Sequence, residues 1–211
     1  MKKEDILKAI AEVRKSRKRN FNQTFDFIIN LKDFDLRKEA FSTSVTAPYP
    51  SKEIKICAFL ERNTDIFDKV IIKQDFDKIE KDIKDVVNDY DFCVASAKLM
   101  PEIAKRFGRV LGPVGKMPDP KIGSVIMSEE KDSMVKLYER LKKLVRIRPK
   151  EKSIKTVVGK ESMKDEEIAE NCEAIYNALL SALPNKNENV KSVMIKLTMS
   201  KPVKINADRN N

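Results

Sequence analysis

Apolar residues recur at helical spacing over the first nineteen positions, with Ile6, Ile10 and Val13 on one side, and predict an amphipathic helix. A basic cluster of Arg14, Lys15, Arg17, Lys18 and Arg19 closes it. The period then drops to two. Phe25, Phe27, Ile29 and Leu31 alternate with Asp26, Asn30 and Lys32, the pattern of a half-buried strand. Phe21, just ahead of this run, belongs to no apolar stripe. The stretch TAPYPSK (residues 46–52) is a proline-marked crossing into a different pattern. Beyond it, the short apolar runs IKICAFL, VIIK and FCVAS read as strands. Helical segments lie between and after them: FDKIEKDIKDVVND with Ile79, Ile83 and Val86 on one side, residues 97–107, and residues 133–144 with Met134, Leu137, Leu141 and Leu144. Strands alternating with helices predict a parallel βαβ unit.

A second crossing, VRIRPKEKS, leads to the strand-like run SIKTVVG. Ser162 and Asp165 have the spacing of a capping box for a helix carrying Ile168, Cys172, Ile175 and Leu179. After Pro184 comes VKSVMIKLTMSKPVKIN, in which Val193, Ile195 and Leu197 face one way and Ser192, Met194, Lys196 and Thr198 the other. The tail, residues 206–211, is polar and expected to fray. The α/β middle is flanked by ends that need each other to complete a sheet. One domain inserted into another is the economical organisation.

Composition narrows the function. Hydrophobic residues make up 41% of the 211, enough for a core, while 43 Lys and Arg against 33 Asp and Glu give a net charge of +10. Such a balance points to an anionic partner, nucleic acid before membrane. No apolar run approaches the ~20 residues of a membrane span, and the N-terminus has no apolar signal core, so a cytoplasmic protein is expected. Cys57, Cys93 and Cys172 are far apart, without metal spacing, and read as buried core residues in a reducing compartment. The chain has no histidine and no tryptophan. Without histidine, the usual acid–base group at neutral pH is missing and enzyme readings lose ground.

The stretch GRVLGPVGKMPDP, residues 108–120, holds three of the five glycines and ends a Gly-rich run in Gly-Lys. A Walker loop requires glycine where Val110 stands and a hydroxyl residue where Met117 stands, so that reading fails. The dinucleotide fingerprint fails as well, because Gly108, Gly112 and Gly115 are spaced four and three apart and follow a helix. A nucleotide-dependent enzyme with a basic groove is therefore the disfavoured alternative. What remains is a rigid exposed loop with cations at Arg106, Arg109, Lys116 and Lys121, able either to lie against a phosphate backbone or simply to reverse the chain.

This stretch resembles the signature loop of the L-one family of large-subunit ribosomal proteins, with the pattern Gly-x-x-Leu-Gly-Pro-x-Gly-x-x-Pro-x-Pro. RNFNQTFDFIINLKDFDLRK resembles the first strand segment of its archaeal and eukaryotic branch, and VKSVMIKLTMSKPVKIN its closing strand. The resemblance implies an α/β protein of two domains. Residues 1–50 and 144–211 form a split α+β sandwich that binds RNA, and residues 53–143 an inserted Rossmann-like three-layer domain. It implies no enzyme activity and no cofactor. The implied partners are large-subunit ribosomal RNA at the mobile stalk, transfer RNA at the exit site, and the protein's own messenger, whose translation it represses.

By resemblance, Phe21 is an RNA-contacting aromatic, Thr24 a polar position beside it, and Ser192, Thr198 and Met199 meet the RNA sugar-phosphate surface. Lys196 adds a cation to the same face, Arg17, Lys18 and Arg19 supply the salt-sensitive attraction, and the 108–120 loop is chiefly structural, with a secondary RNA contact at Arg109, Gly115 and Lys116. Ser200 departs from the family, which has glycine there; a serine is expected to crowd the RNA, so that Ser200→Gly holds or strengthens binding.

Overall fold

The structure, a computed structural model, describes residues 1–17, 19–33, 43–80, 83–147, 149 and 151–205. In chain order the elements are α1 (Lys3–Arg14), β1 (Thr24–Leu31), β2 (Thr43–Thr46), β3 (Ile56–Leu60) and β4 (Lys69–Ile72). Then follow α2 (Phe76–Ile79), α3 (Ile83–Asp89), β5 (Phe92–Ser96), α4 (Met100–Val114), β6 (Val125–Ile126) and α5 (Lys131–Lys142). The chain closes with β7 (Leu144–Ile147), β8 (Ser153–Lys160), α6 (Asp165–Ala182), β9 (Val190–Leu197) and β10 (Val203–Ile205). It separates into two compact units, Met1–Lys52 with Lys143–Asn211, and Glu53–Lys142.

The unit built from both termini holds an antiparallel sheet in the order β10-β9-β1-β8. Its register pairs Phe25 with Leu197, Phe27 with Ile195 and Ile29 with Val193, so one face is continuously apolar. Ile6, Ile10 and Val13 of α1 and Ile168, Cys172, Ile175 and Leu179 of α6 bury against that face. Each such side chain contributes about 1.5–3 kcal/mol when fully buried. The alternate residues Asp26, Ile28 and Asn30 pair on the other face with Lys196, Met194 and Ser192. The first crossing is anchored by Asn171, fully buried on α6: its amide accepts from the Tyr49 N–H and donates to the carbonyls of Tyr49 and Val158.

Helix α1 ends at Arg14, five residues before the expected end of the helical stretch. The Arg14 side chain explains where it stops. Its guanidinium donates to Asp165 at 2.6 Å and to the carbonyls of Glu161 and Met163, and it lies over the Phe25 ring. This first member of the basic cluster is therefore spent inside the unit. The capping expected from Ser162 and Asp165 falls two residues later, where the Lys164 N–H donates to the Glu167 carboxylate at the start of α6. The second crossing opens in a strand: β7 pairs antiparallel with β2, Ile147 to Thr43 through Leu144 to Thr46. Leu144 thus belongs to β7 and not to the stripe of α5, which ends at Lys142.

The inserted unit is a parallel sheet in the order β4-β3-β5-β6. All of β3 and β5 is buried, which requires cover on both faces, as parallel sheets have. Phe59 packs with Phe76 and Phe107 at centroid distances of 6.0 and 5.8 Å, tying the sheet to α2 and α4. Ile83 and Val87 carry the stripe of α3; the Val86 side chain lies outside the described residues. The expected loop at residue 108 is displaced. Helix α4 runs through Gly108, Gly112 and Pro113 to Val114, because Ile103, Phe107 and Leu111 keep one buried stripe across those breakers. The chain turns at Gly115, whose φ of 75° closes the helix in the left-handed conformation that glycine supplies without strain. The expected free loop is therefore confined to the residues after Gly115.

Candidate nucleic-acid interface

Thr24, Lys196, Thr198, Met199 and Ser200 come together where β9 ends beside the start of β1. Thr24 and Thr198 are neighbours across the two strands, their hydroxyl oxygens 2.9 Å apart, with either able to donate. The Thr24 N–H donates to Thr198 Oγ1, and the Thr198 N–H to the Thr24 carbonyl. The next amide, Met199 N–H, donates to the side-chain oxygen of Gln23, and Ser200 N–H to the Leu197 carbonyl. With its backbone donors committed, this tip offers hydroxyls and an apolar side chain to a partner. Met199 is 60% exposed and Phe21, on the approach to β1, is 52% exposed. Exposed apolar side chains beside hydroxyls suit a ribose or base face together with a 2′-OH.

Lys196 supplies the nearest cation. Its ammonium donates to the Thr198 carbonyl at 3.3 Å and lies 3.9 Å from the Asp26 carboxylate. Burial pushes the Asp26 carboxyl above its ordinary range, and the Lys196 charge pulls it back only in part. Arg17 and Arg19 are exposed. Lys18 lies outside the described residues.

Ser200 does not crowd the tip. Its hydroxyl turns inward, accepting the Leu197 N–H at 2.8 Å and donating to the Leu197 or Lys201 carbonyl. Leu197 is the last residue of β9, and on that side β10 has already diverged, so the serine takes the place of a missing ladder partner.

Ser192 stands apart from this group. Six residues along β9 from Thr198, it lies about 20 Å away at the usual strand rise, and its hydroxyl accepts from Asn30 Nδ2. In the inserted unit Arg109 is exposed, while Gly115 is buried as the turn of α4. Lys116 is re-read. Its ammonium donates to the carbonyls of Val87 and Tyr90, at 2.7 Å for the latter, and so fastens α4 to the end of α3. A half-buried ammonium held by two carbonyls is a structural staple, which leaves Arg109 as the exposed cation of the two.

Sequence reasoning missed Gln23 and Glu161. Gln23 is 2% exposed, and both its backbone N–H and its side-chain NH2 donate to the Glu161 carboxylate. A signal was present. Position 23 has the same parity as Phe25, Phe27 and Ile29, so a polar residue was pointing into the apolar face.

The inserted unit shows why a nucleotide finds no cradle there. In an open parallel sheet the ligand crevice lies at the carboxyl ends of the strands where the order reverses, here between β3 and β5. The Glu61 N–H, first after β3, is already taken by the Glu129 carboxylate, and the Glu61 carboxylate pairs with Lys98. Carboxylates at this place repel phosphate. The three thiols are equally unsuited to chemistry, since burial pushes all of them up, Cys93 to about 11. Among the described residues no group of three His, Cys, Asp or Glu could hold a metal, and no helix is long and apolar enough to cross a membrane.

Fold and charge together define a basic, split α/β protein of two compact units. The sequence carries the assignment further. The chain belongs to the ribosomal protein L1p/L10e family, whose sequence model matches residues 13–201, and it is a ribosomal protein and not an enzyme. It is 38% identical over 218 residues to the large ribosomal subunit protein uL1 of Methanothermococcus thermolithotrophicus, covering 97% of this chain and 99% of that one. Proteins of the same name from Nanoarchaeum equitans and Thermococcus kodakarensis are 36% and 35% identical, over 93% and 96% of this chain and 97% of each of theirs. The likeness is to the archaeal type.

Proposed function

We propose that this chain is a structural constituent of the large ribosomal subunit in the cytoplasm, binding ribosomal RNA at the mobile stalk beside the transfer RNA exit site. The terminal unit carries the specific contacts, through Phe21, Thr24, Thr198 and Met199, with Lys196 and Arg19 adding charge. The observation that carries this reading is the coupled Thr24–Thr198 hydroxyl pair flanked by exposed Phe21 and Met199. Hydroxyls donate to phosphate oxygens and exchange hydrogen bonds with a 2′-OH, so the pair suits RNA over DNA. Ser192 extends the track along β9, and Arg109 provides a contact from the inserted unit. The same surface serves the protein's own messenger, which competes with the ribosomal site and represses translation. Footprinting on purified large-subunit RNA tests the reading: protection confined to one stalk-base junction supports it, and protection scattered over many helices or absent refutes it.

A further inference from the structure

We infer that Gln23 is a positioning residue for this interface, setting its specificity without touching RNA; the inference rests on the reading just given. Gln23 joins three stretches of chain. Its side-chain oxygen accepts the Met199 N–H at 3.3 Å, its side-chain nitrogen donates to Glu161 Oε2 at 3.4 Å, and its backbone N–H donates to the same oxygen at 3.3 Å. Its carbonyl in turn accepts the Glu161 N–H at 2.7 Å. An amide that is 2% exposed is costly to bury unless its groups are bonded, and here they are.

Glu161 decides which way the amide points. An ionised carboxylate only accepts, so it draws the Gln23 NH2 toward itself and turns the oxygen toward Met199. The flipped amide would set oxygen against carboxylate and NH2 against N–H. The orientation is thus fixed by charge. Met199 is the residue of the tip whose amide is held from outside it by a side chain: Leu197 and Ser200 bond to each other, and Thr198 bonds to the Thr24 backbone. Gln23 therefore sets the backbone from which the exposed Met199 side chain and the adjacent Thr198 hydroxyl project.

The test uses the full chain, a stalk-junction RNA fragment and a duplex of equal length and unrelated sequence. Gln23→Met keeps the volume and loses the two side-chain hydrogen bonds. Gln23→Glu keeps the acceptor but sets two carboxylates together, and Gln23→Glu with Glu161→Gln restores a donor–acceptor pair. Thermal unfolding confirms that each variant folds. The inference expects the preference for stalk RNA to fall about tenfold in Gln23→Met and in Gln23→Glu, as for one lost buried hydrogen bond and its consequences. The salt slope should stay unchanged in Gln23→Met, which removes no cation that displaces counterions from phosphate. Hydrogen exchange of the Met199 amide should quicken in both, and the exchanged pair should recover the preference to within about threefold. Gln23→Met discriminating as the wild type does, or a loss that the exchanged pair leaves unrepaired, overturns the inference alone. A wild-type chain that does not discriminate overturns the underlying reading and this inference with it.

Discussion

Ser200 provides the sharpest test of how the tip is built. If serine crowds RNA where a glycine belongs, Ser200→Gly should bind RNA as well as the wild type or better. The structure argues the opposite. Ser200 Oγ accepts the Leu197 N–H at 2.8 Å and donates to a neighbouring carbonyl, so it faces the protein. Nor does the backbone call for glycine: the non-glycine residues with positive φ among those described are Asp33 and Lys186. Removing the hydroxyl costs a hydrogen bond, about 1 kcal/mol, and glycine adds about 0.5–1 kcal/mol of backbone entropy. The unfolding midpoint of the terminal unit should fall by roughly 3–8 °C in Ser200→Gly, at the usual conversion for chains of this size. Ser200→Ala, which loses the hydrogen bond but keeps the Cβ, should account for about half of that. RNA binding must then re-order a loosened turn, so affinity in a filter-binding titration should fall about fivefold, the equivalent of 1 kcal/mol. A Ser200→Gly protein that binds stalk RNA more tightly than the wild type would falsify this account and restore the crowding view.

Thr198→Ala should reduce the preference for stalk RNA over unrelated RNA, whereas Arg19→Ala should weaken both alike and flatten the salt slope by up to roughly 0.9; equal loss of preference in the two variants contradicts that division. Lys116→Met should lower the stability of the inserted unit by about 2 kcal/mol, since an ammonium bonded to two carbonyls is lost, and leave stalk-RNA affinity within about twofold. A marked affinity loss with the unit still folded would return Lys116 to the interface. Asp26 has its folded-state pKa raised by burial, so it holds a proton more readily folded than unfolded, and its ionisation works against the fold as pH rises. Asp26→Asn should therefore raise stability at neutral pH, with the gain fading as pH drops below the ordinary carboxylate range; denaturant titrations at several pH values check the sign.

The elements legible in the sequence are those where period and burial coincide. β1 and β9 could be read with the correct inward residues because every second position is apolar and the partner strand repeats the pattern. The helix through residue 114 was obscured by Gly108, Gly112 and Pro113, although Leu111 continues the stripe of Ile103 and Phe107. Breakers near the end of a helix cost little. Pro113 is one residue from the end, so its missing N–H and ring disturb only the last turn, and the buried stripe outweighs two glycines.

The exposed residues of the candidate site are easier to find in the sequence than the groups beneath them. Phe21 and Thr198 are candidates by resemblance, and the pattern adds that Phe21 belongs to no apolar stripe and that Thr198 lies on the polar face of its strand. What fixes them could not be read so easily, because Gln23, Glu161 and Ser200 are polar residues whose partners are distant in the chain or are backbone groups. A polar letter carries no mark of burial. Only its phase does, and Gln23 is in phase with Phe25 and Phe27. That phase has a consequence for the chemistry: an amide on the buried face must satisfy both its donor and its acceptor, and the strand end offers one carboxylate and one unpaired N–H to do so. The backbone at the tip is thus held by hydrogen bonding under it, and on the proposed reading a change to Gln23 or Glu161 should alter RNA preference while every exposed residue stays in place.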